Sequence, residues 1–158
     1  MPVASGTNSY FVKIDGIVGE SKDVKHKDEI DVESWSWGET YQGSPRTGGG
    51  GGAGRVSMQD LLFTTKLSKA SPRLFLACAS GEHFKTALLS ASRGSRSKRV
   101  EYLKITLSDV IVSSYQISAS AADRPAMDQV SLNFAKIEVE NPEANIKAGW
   151  DVTKNQKV

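Results

Sequence analysis

The chain holds one cysteine and two histidines. Cys78 has no second thiol for an internal disulfide, and its apolar neighbours read as those of a small core residue. His26 and His83 stand in no Cys/His spacing that would bind a metal. Glu82 sits next to His83, but adjacent side chains of a strand point to opposite faces, so no acid–base pair is expected there. No cofactor, metal site or catalytic residue is expected, and the chain reads as a non-enzyme. No stretch approaches 18 apolar residues, which leaves no candidate for a membrane-spanning helix. The N-terminus has neither a basic start nor an apolar run, so it does not read as a secretory signal, and folding is expected in a reducing compartment. Twenty Lys and Arg stand against eighteen Asp and Glu, a net charge of +2. That balance predicts no field for nucleic acid or membrane.

The most unusual stretch is Ser44-Pro45-Arg46-Thr47-Gly48-Gly49-Gly50-Gly51-Gly52-Ala53-Gly54, where six of eleven residues are glycine. It lacks the Gly-Lys-Ser/Thr ending of a phosphate loop and leads into a strand, whereas a phosphate site needs a helix start. Ordering a residue costs about 1–2 kcal/mol, most for glycine. The tip of such a loop therefore needs contacts from outside to become fixed. An out-and-back excursion of this length reaches roughly 15–18 Å, far enough to touch another subunit. Arg46, Gly48, Gly49, Gly50, Gly51, Gly52, Ala53, Gly54 and Arg55 are accordingly read as an inter-subunit arm.

The 158 residues suit one domain, which at this size buries about 70% of its unfolded surface. Residues 1–158 are read as one unit with a flexible N-terminal segment of about eight residues and a C-terminal tail. Residues 10–14 read as a strand with Tyr10, Val12 and Ile14 on one face. Residues 19–29 are charged and read as a solvated loop with His26 exposed. The strand from Ile30 to Tyr41 breaks phase: Ile30 and Val32 share one parity, Trp35 and Trp37 the other. A bulge near Ser34 would put both pairs on the core side. Asp31, Glu33 and Ser36 would then share the polar face. The same break separates Val56 and Met58 from Leu61, Phe63 and Leu67, and Val130, Leu132 and Phe134 from Ile137 and Val139. Such shifts predict long bent strands in a closed sheet, or strands buried on both faces, one of them by a partner.

One helix is expected, with Ser71 as N-cap, Pro72 in its first turn, Leu74, Ala77 and Cys78 inward, and Gly81 at its C-cap. Strands follow over 84–89, 102–107, 110–118 and 127–140, with a last one at 146–152. Asp109 precedes a new strand, Val110 to Ser118, and Arg93 to Arg99 read as a solvated basic turn. The fold class is mainly β: an antiparallel β-barrel, one short flanking α-helix and an extended glycine-rich hairpin loop.

These residues also resemble a known family. Phe11-Val-Lys-Ile-Asp-Gly-Ile-Val-Gly-Glu-Ser-Lys-Asp, His26 and Glu29-Ile-Asp-Val-Glu-Ser-Trp-Ser-Trp-Gly are similar to the opening of haemolysin-coregulated proteins (Hcp), the tube subunits of bacterial type VI secretion. The similarity continues through Gly48-Gly-Gly-Gly-Gly-Ala-Gly-Arg-Val, Leu76-Ala-Cys-Ala-Ser-Gly, Glu101-Tyr-Leu-Lys-Ile-Thr-Leu, Val110-Ile-Val-Ser-Ser-Tyr and Val130-Ser-Leu-Asn-Phe-Ala-Lys-Ile. It departs at the turn 93–99 and in the tail from Asn141. The resemblance implies a homohexameric ring with a wide channel, stacked into a tube akin to a phage tail tube. It implies partners in a contractile sheath, a tip spike and small effector proteins carried in the channel. It also implies assembly in the cytoplasm followed by export or delivery into a target cell, and a role in virulence. The polar face carrying Asp31, Glu33 and Ser36 would line that channel, and the arm would join ring to ring. A soluble monomeric barrel that binds a ligand in an aromatic-lined pocket is the alternative.

Overall fold

The computed structural model describes residues 7–45, 54–95 and 97–158. Strands β1 (Asn8–Ile14), β2 (Ile30–Val32), β3 (Ser34–Ser36), β4 (Glu39–Gln42), β5 (Arg55–Met58) and β6 (Leu61–Lys66) precede the helix α1 (Ser71–Ser80). After it come β7 (His83–Arg93), β8 (Val100–Ser118), β9 (Met127–Asn141), β10 (Ile146–Asp151) and β11 (Gln156–Lys157). All pairings are antiparallel.

The barrel closes through one bent segment, residues 30–36. β2 pairs with β1, placing Val12 opposite Ile30, while β3 pairs with β6, placing Trp35 opposite Phe63. β6 in turn lies on the first half of β9, which is joined to β8, β7 and back to β1. The change of partner falls at Glu33, whose N–H donates to the Thr64 carbonyl. The Thr65 hydroxyl donates to the Asp31 carbonyl at 2.6 Å and ties the bend from the other side. The phase shift expected near Ser34 is this bend: Ile30 and Val32 are buried, and Trp35 and Trp37 pack on the same core. The expected single strand from Ile30 to Tyr41 is, however, three short ones, because each piece serves a different partner.

A second corner crosses three strands at one level. In the β7–β8 ladder the register skips from Phe84↔Val110 to Thr86↔Ser108, leaving Lys85 and Asp109 out. In the β8–β9 ladder it skips from Val110↔Phe134 to Ser108↔Lys136, leaving Ala135 out. Asp109 takes a left-handed backbone with φ 53°. The buried set changes parity at this line on each strand: Phe84 then Ala87 and Leu89, Leu107 then Val110, Phe134 then Ile137. Asp109 therefore does not begin a new strand. It kinks a continuous one of 19 residues, because partners on both sides keep the chain extended.

Other expectations are corrected. Ser71 is not the N-cap; Ala70 holds that position without a side-chain cap, and the Ser71 hydroxyl donates instead to Asp128. Gly81 does supply the left-handed C-cap, with φ 65°. Leu67 lies past the end of β6 and is half exposed, outside the core. The loop 19–29 is not a free solvated connection. The His26 ring stacks on Phe11 with centroids 4.3 Å apart, and its Nδ1 lies 3.0 Å from Glu29. Arg99 pairs with Asp23 and covers the other part of the Phe11 ring. So the loop and the basic turn cover Phe11, whose side chain points away from the main core. The C-terminal residues form β10, paired to β9, and β11, paired to β10, with Trp150 packed against the core.

Candidate functional site

The base of the expected arm is a two-stranded hairpin. β4 and β5 pair from Glu39↔Met58 to Gln42↔Arg55, outside the barrel sheet. Their outer side chains, Thr40, Gln42, Arg55 and Ser57, are exposed and polar, so no described residue covers that face. The Tyr41 ring lies across the neck of the hairpin. A Cβ at Gly54 would fall 2.2 Å from that ring, so the glycine makes room for it. Gly54 and Arg55 are placed in this neck; Arg46, Gly48 to Gly52 and Ala53 lie outside the described residues.

Asp31, Glu33 and Ser36 are all exposed on the bent segment, on the side away from the core. Ser34 joins them, because the bend at Glu33 puts two successive residues outward. Sequence parity alone hides Ser34; its hydroxyl meets that of Thr64 on β6 at 2.6 Å. Lys66 lies 3.6 Å from Glu33. Partial burial, then the carboxylates of Glu33 and Glu20, push the Asp31 carboxyl above the usual carboxylate range, with Lys66 opposing. The face is therefore an acidic, hydroxyl-rich strip built from β2, β3 and β6.

A third surface escapes a strand-by-strand reading. Between the β4–β5 hairpin and the far half of β9 with β10 lies an open trough of about 950 Å³. Trp37, Met58, Ile137, Val139, Ala148 and Trp150 line it. It continues the core outward, since β9 leaves β6 for β10 there and the hairpin belongs to no other sheet. The indole N–H groups of Trp37 and Trp150 are buried and have no acceptor among the described residues.

His83 and Cys78 stand apart from these surfaces. His83 pairs with exposed Asp109 at 3.0 Å, while Glu82 makes a two-pronged contact with Arg73 at 2.7 Å. That contact holds the Glu82 carboxyl below its ordinary range. Among the described residues no three His, Cys, Asp or Glu side chains gather in a way that could hold a metal ion.

Residues 11–140 match the protein family described as type VI secretion system effector, Hcp. The chain belongs to the Hcp family of type VI secretion. Protein hcp1 of Pseudomonas aeruginosa is 42% identical over 154 residues, which cover 92% of this chain and 95% of that protein. The crystal structure of Hcp1 from Salmonella typhimurium superimposes with a TM-score of 0.82 at 36% identity, covering 96% of this chain and 99% of that one. A type VI secretion system effector from Yersinia pestis gives a TM-score of 0.74 at 29% identity, over 90% and 99% of the two chains. This Hcp chain is thus a type VI secretion protein, exported by that system as its family is. The match spans the arm neck, the acidic strip and the helix, and stops before β10.

Proposed function

We propose that the protein is the structural subunit of a type VI secretion tube. Six copies close into a ring, rings stack through the glycine arms, and small effector proteins travel in the channel. The tube works with a contractile sheath and a tip spike, is assembled in the cytoplasm and is delivered into a target cell. It acts by assembly, without a catalytic step. The observation that carries this reading is a closed barrel of the Hcp family that still leaves a projecting polar hairpin uncovered. A single copy has no use for such an arm, whereas a stack needs a contact that repeats without closing. The acidic strip of Asp31, Glu33 and Ser36 faces away from the core and is the surface assigned to the channel wall.

The trough with its aromatic lining, Trp37, Tyr41 and Trp150, is the feature that favours the second reading, a monomeric barrel that binds a ligand. Native mass spectrometry at micromolar concentration separates the two. Six copies are expected. A clean monomer at that concentration would overturn the tube reading in favour of the binding barrel.

A further inference from the structure

Asp60 stands where the β4–β5 hairpin leaves the barrel. It follows β5 and precedes β6, and neither it nor Gln59 belongs to a strand. On the other limb Trp37 and Gly38 separate β3 from β4. The hairpin therefore joins the barrel through two dipeptides, 37–38 and 59–60. They are linked to each other by the bond from the Gln59 N–H to the Gly38 carbonyl at 2.9 Å. A two-stranded hairpin is marginally stable by itself and depends on packing to stay in place. On the inner side Trp37 and Met58 pack on the core. Among the described residues, no side chain at 38–42 or 55–59 makes a hydrogen bond or ion pair to the barrel.

The tie comes from Asp60. Its carboxylate accepts from the Ser113 hydroxyl at 2.5 Å on one oxygen and from the Asn133 side-chain amide at 2.8 Å on the other. Ser113 lies on β8 and Asn133 on β9. Asp60 is one residue beyond the last β6–β9 pair, Leu61↔Leu132, so it stands level with Asn133. The carboxylate thus spans three strands: it starts on the line of β6, takes a donor from β9 and reaches across to β8.

Ser113 reaches it through a bulge. Between Val112↔Leu132 and Ser114↔Ser131 the β8–β9 ladder skips Ser113, and Ser113 and Ser114 are both exposed. Val112 and Tyr115 on either side of them pack on the core. A bulge frees one residue from the ladder and re-aims its side chain. Here the freed side chain is the one that meets Asp60. Ser113 and Asn133 are exposed and Asp60 is half-buried, while Leu61, Val112 and Leu132 beside them are buried. The cluster adds no apolar burial of its own; it fixes the angle at which the chain leaves β6.

We propose that Asp60 is the positioning residue of the arm: with Ser113 and Asn133 it clamps the root of the hairpin to the outer face of the barrel and sets the direction in which the hairpin projects. This rests on the arm reading for its use in stacking, but the clamp is measured in the chain itself. Nitroxide labels on Arg55→Cys and Gln116→Cys, in a Cys78→Ser chain diluted with unlabelled protein, report the distance from the hairpin to β8. At about 3.3 Å per residue, the runs from Asp60 to Arg55 and from Ser113 to Gln116 put the labels on the order of 25 Å apart, suited to double electron–electron resonance. The unaltered root should give one narrow distance. Asp60→Ala, and Ser113→Ala by itself, should broaden it at least twofold. Asp60→Asn should keep it narrow, because its side-chain oxygen accepts from Ser113 and its amide donates to the Asn133 amide turned over. Circular dichroism checks folding, and Ser113→Ala, which removes one exposed hydroxyl, carries the test if Asp60→Ala folds poorly. A merely structural role would lower the midpoint of urea unfolding and leave the width unchanged. Folded Asp60→Ala or Ser113→Ala chains as narrow as the unaltered one would overturn the clamp. So would an unaltered chain that is already broad, or an Asp60→Asn chain as broad as Asp60→Ala. In unlabelled protein Asp60→Ala should keep the hexamer and reduce the tubes seen by electron microscopy at least tenfold. Broadened distances with normal tubes would keep the clamp and remove the arm from stacking. A monomeric unaltered chain whose variants still broaden would keep the clamp and overturn the ring.

Discussion

The Ser71 hydroxyl donates to the Asp128 carboxylate at 2.5 Å, and both residues are buried. The Tyr115 hydroxyl reaches the other carboxylate oxygen at 3.0 Å. One acid thus pins the first turn of α1, the end of β8 and the start of β9 together. Removing Ser71 leaves a buried carboxylate with one donor fewer, a loss of about 1–3 kcal/mol. Ser71→Ala should lower the midpoint of urea unfolding accordingly with an unchanged slope. An unshifted midpoint would mean that the helix is held by Leu74 and Ala77 alone.

The arm is expected to matter only between rings. Shortening Gly48 to Gly52 should leave the barrel folded and the hexamer closed, because the barrel is complete without the hairpin tip. Ring stacking and secretion should fall together. Electron microscopy of tubes beside native mass of rings makes the comparison. Loss of the hexamer would move the arm into the ring contact, and normal tubes would reduce it to a tolerated loop.

Ser36 is exposed on the strip assigned to the channel. Ser36→Gln should preserve the hexamer, since the side chain contributes nothing to the core, and should reduce the amount of a co-secreted small effector. Quantifying effector and tube protein in the same supernatant tests this. An unchanged ratio would remove Ser36 from the cargo surface.

Asp31 gives a pH prediction. Its carboxyl is raised by partial burial and then by Glu33 and Glu20. A group raised on folding favours the folded state most below its unfolded value, about 3.9 for Asp, and that advantage is lost as pH rises through the folded value. At pH 7 the charged form is therefore a cost. Asp31→Asn should raise the melting temperature at pH 7 by about 1–2 °C, the size expected of a partly exposed charge. The gain should vanish near pH 3. A gain that persists at pH 3 would point to a cause other than charge.

Much of this architecture is legible along the chain. Parity of apolar residues locates the bend near Ser34 and a break between Phe134 and Ile137, because a period-2 strand that keeps both halves on the core needs a shift of phase there. Pro72 and Gly81 mark the helix, since each suits one end of a helix and no other position in it. The polar face with Asp31, Glu33 and Ser36 follows from the same parity. The surfaces beyond it do not follow. Phe75 and Leu76 of α1 stand exposed beside buried Leu74, yet a ten-residue helix reads as amphipathic until its core side is known.

Composition and pattern by themselves determined a mainly β chain with one short helix. These properties depend on residue type and on spacing of a few positions, and local sequence carries both. Tertiary structure alone decided that Asp109 kinks a strand where it would otherwise start one, because Phe84 and Phe134 on the neighbouring strands hold the chain extended on both sides. It alone brought His26 onto Phe11 and Arg99 onto Asp23, contacts between residues 15 and 76 positions apart. It alone opened the trough between Trp37 and Trp150, which are separated by more than a hundred residues. The physical reason is common to all three: register across a sheet is set by partners far away in the chain, and a surface made by two such partners has no signature in either segment.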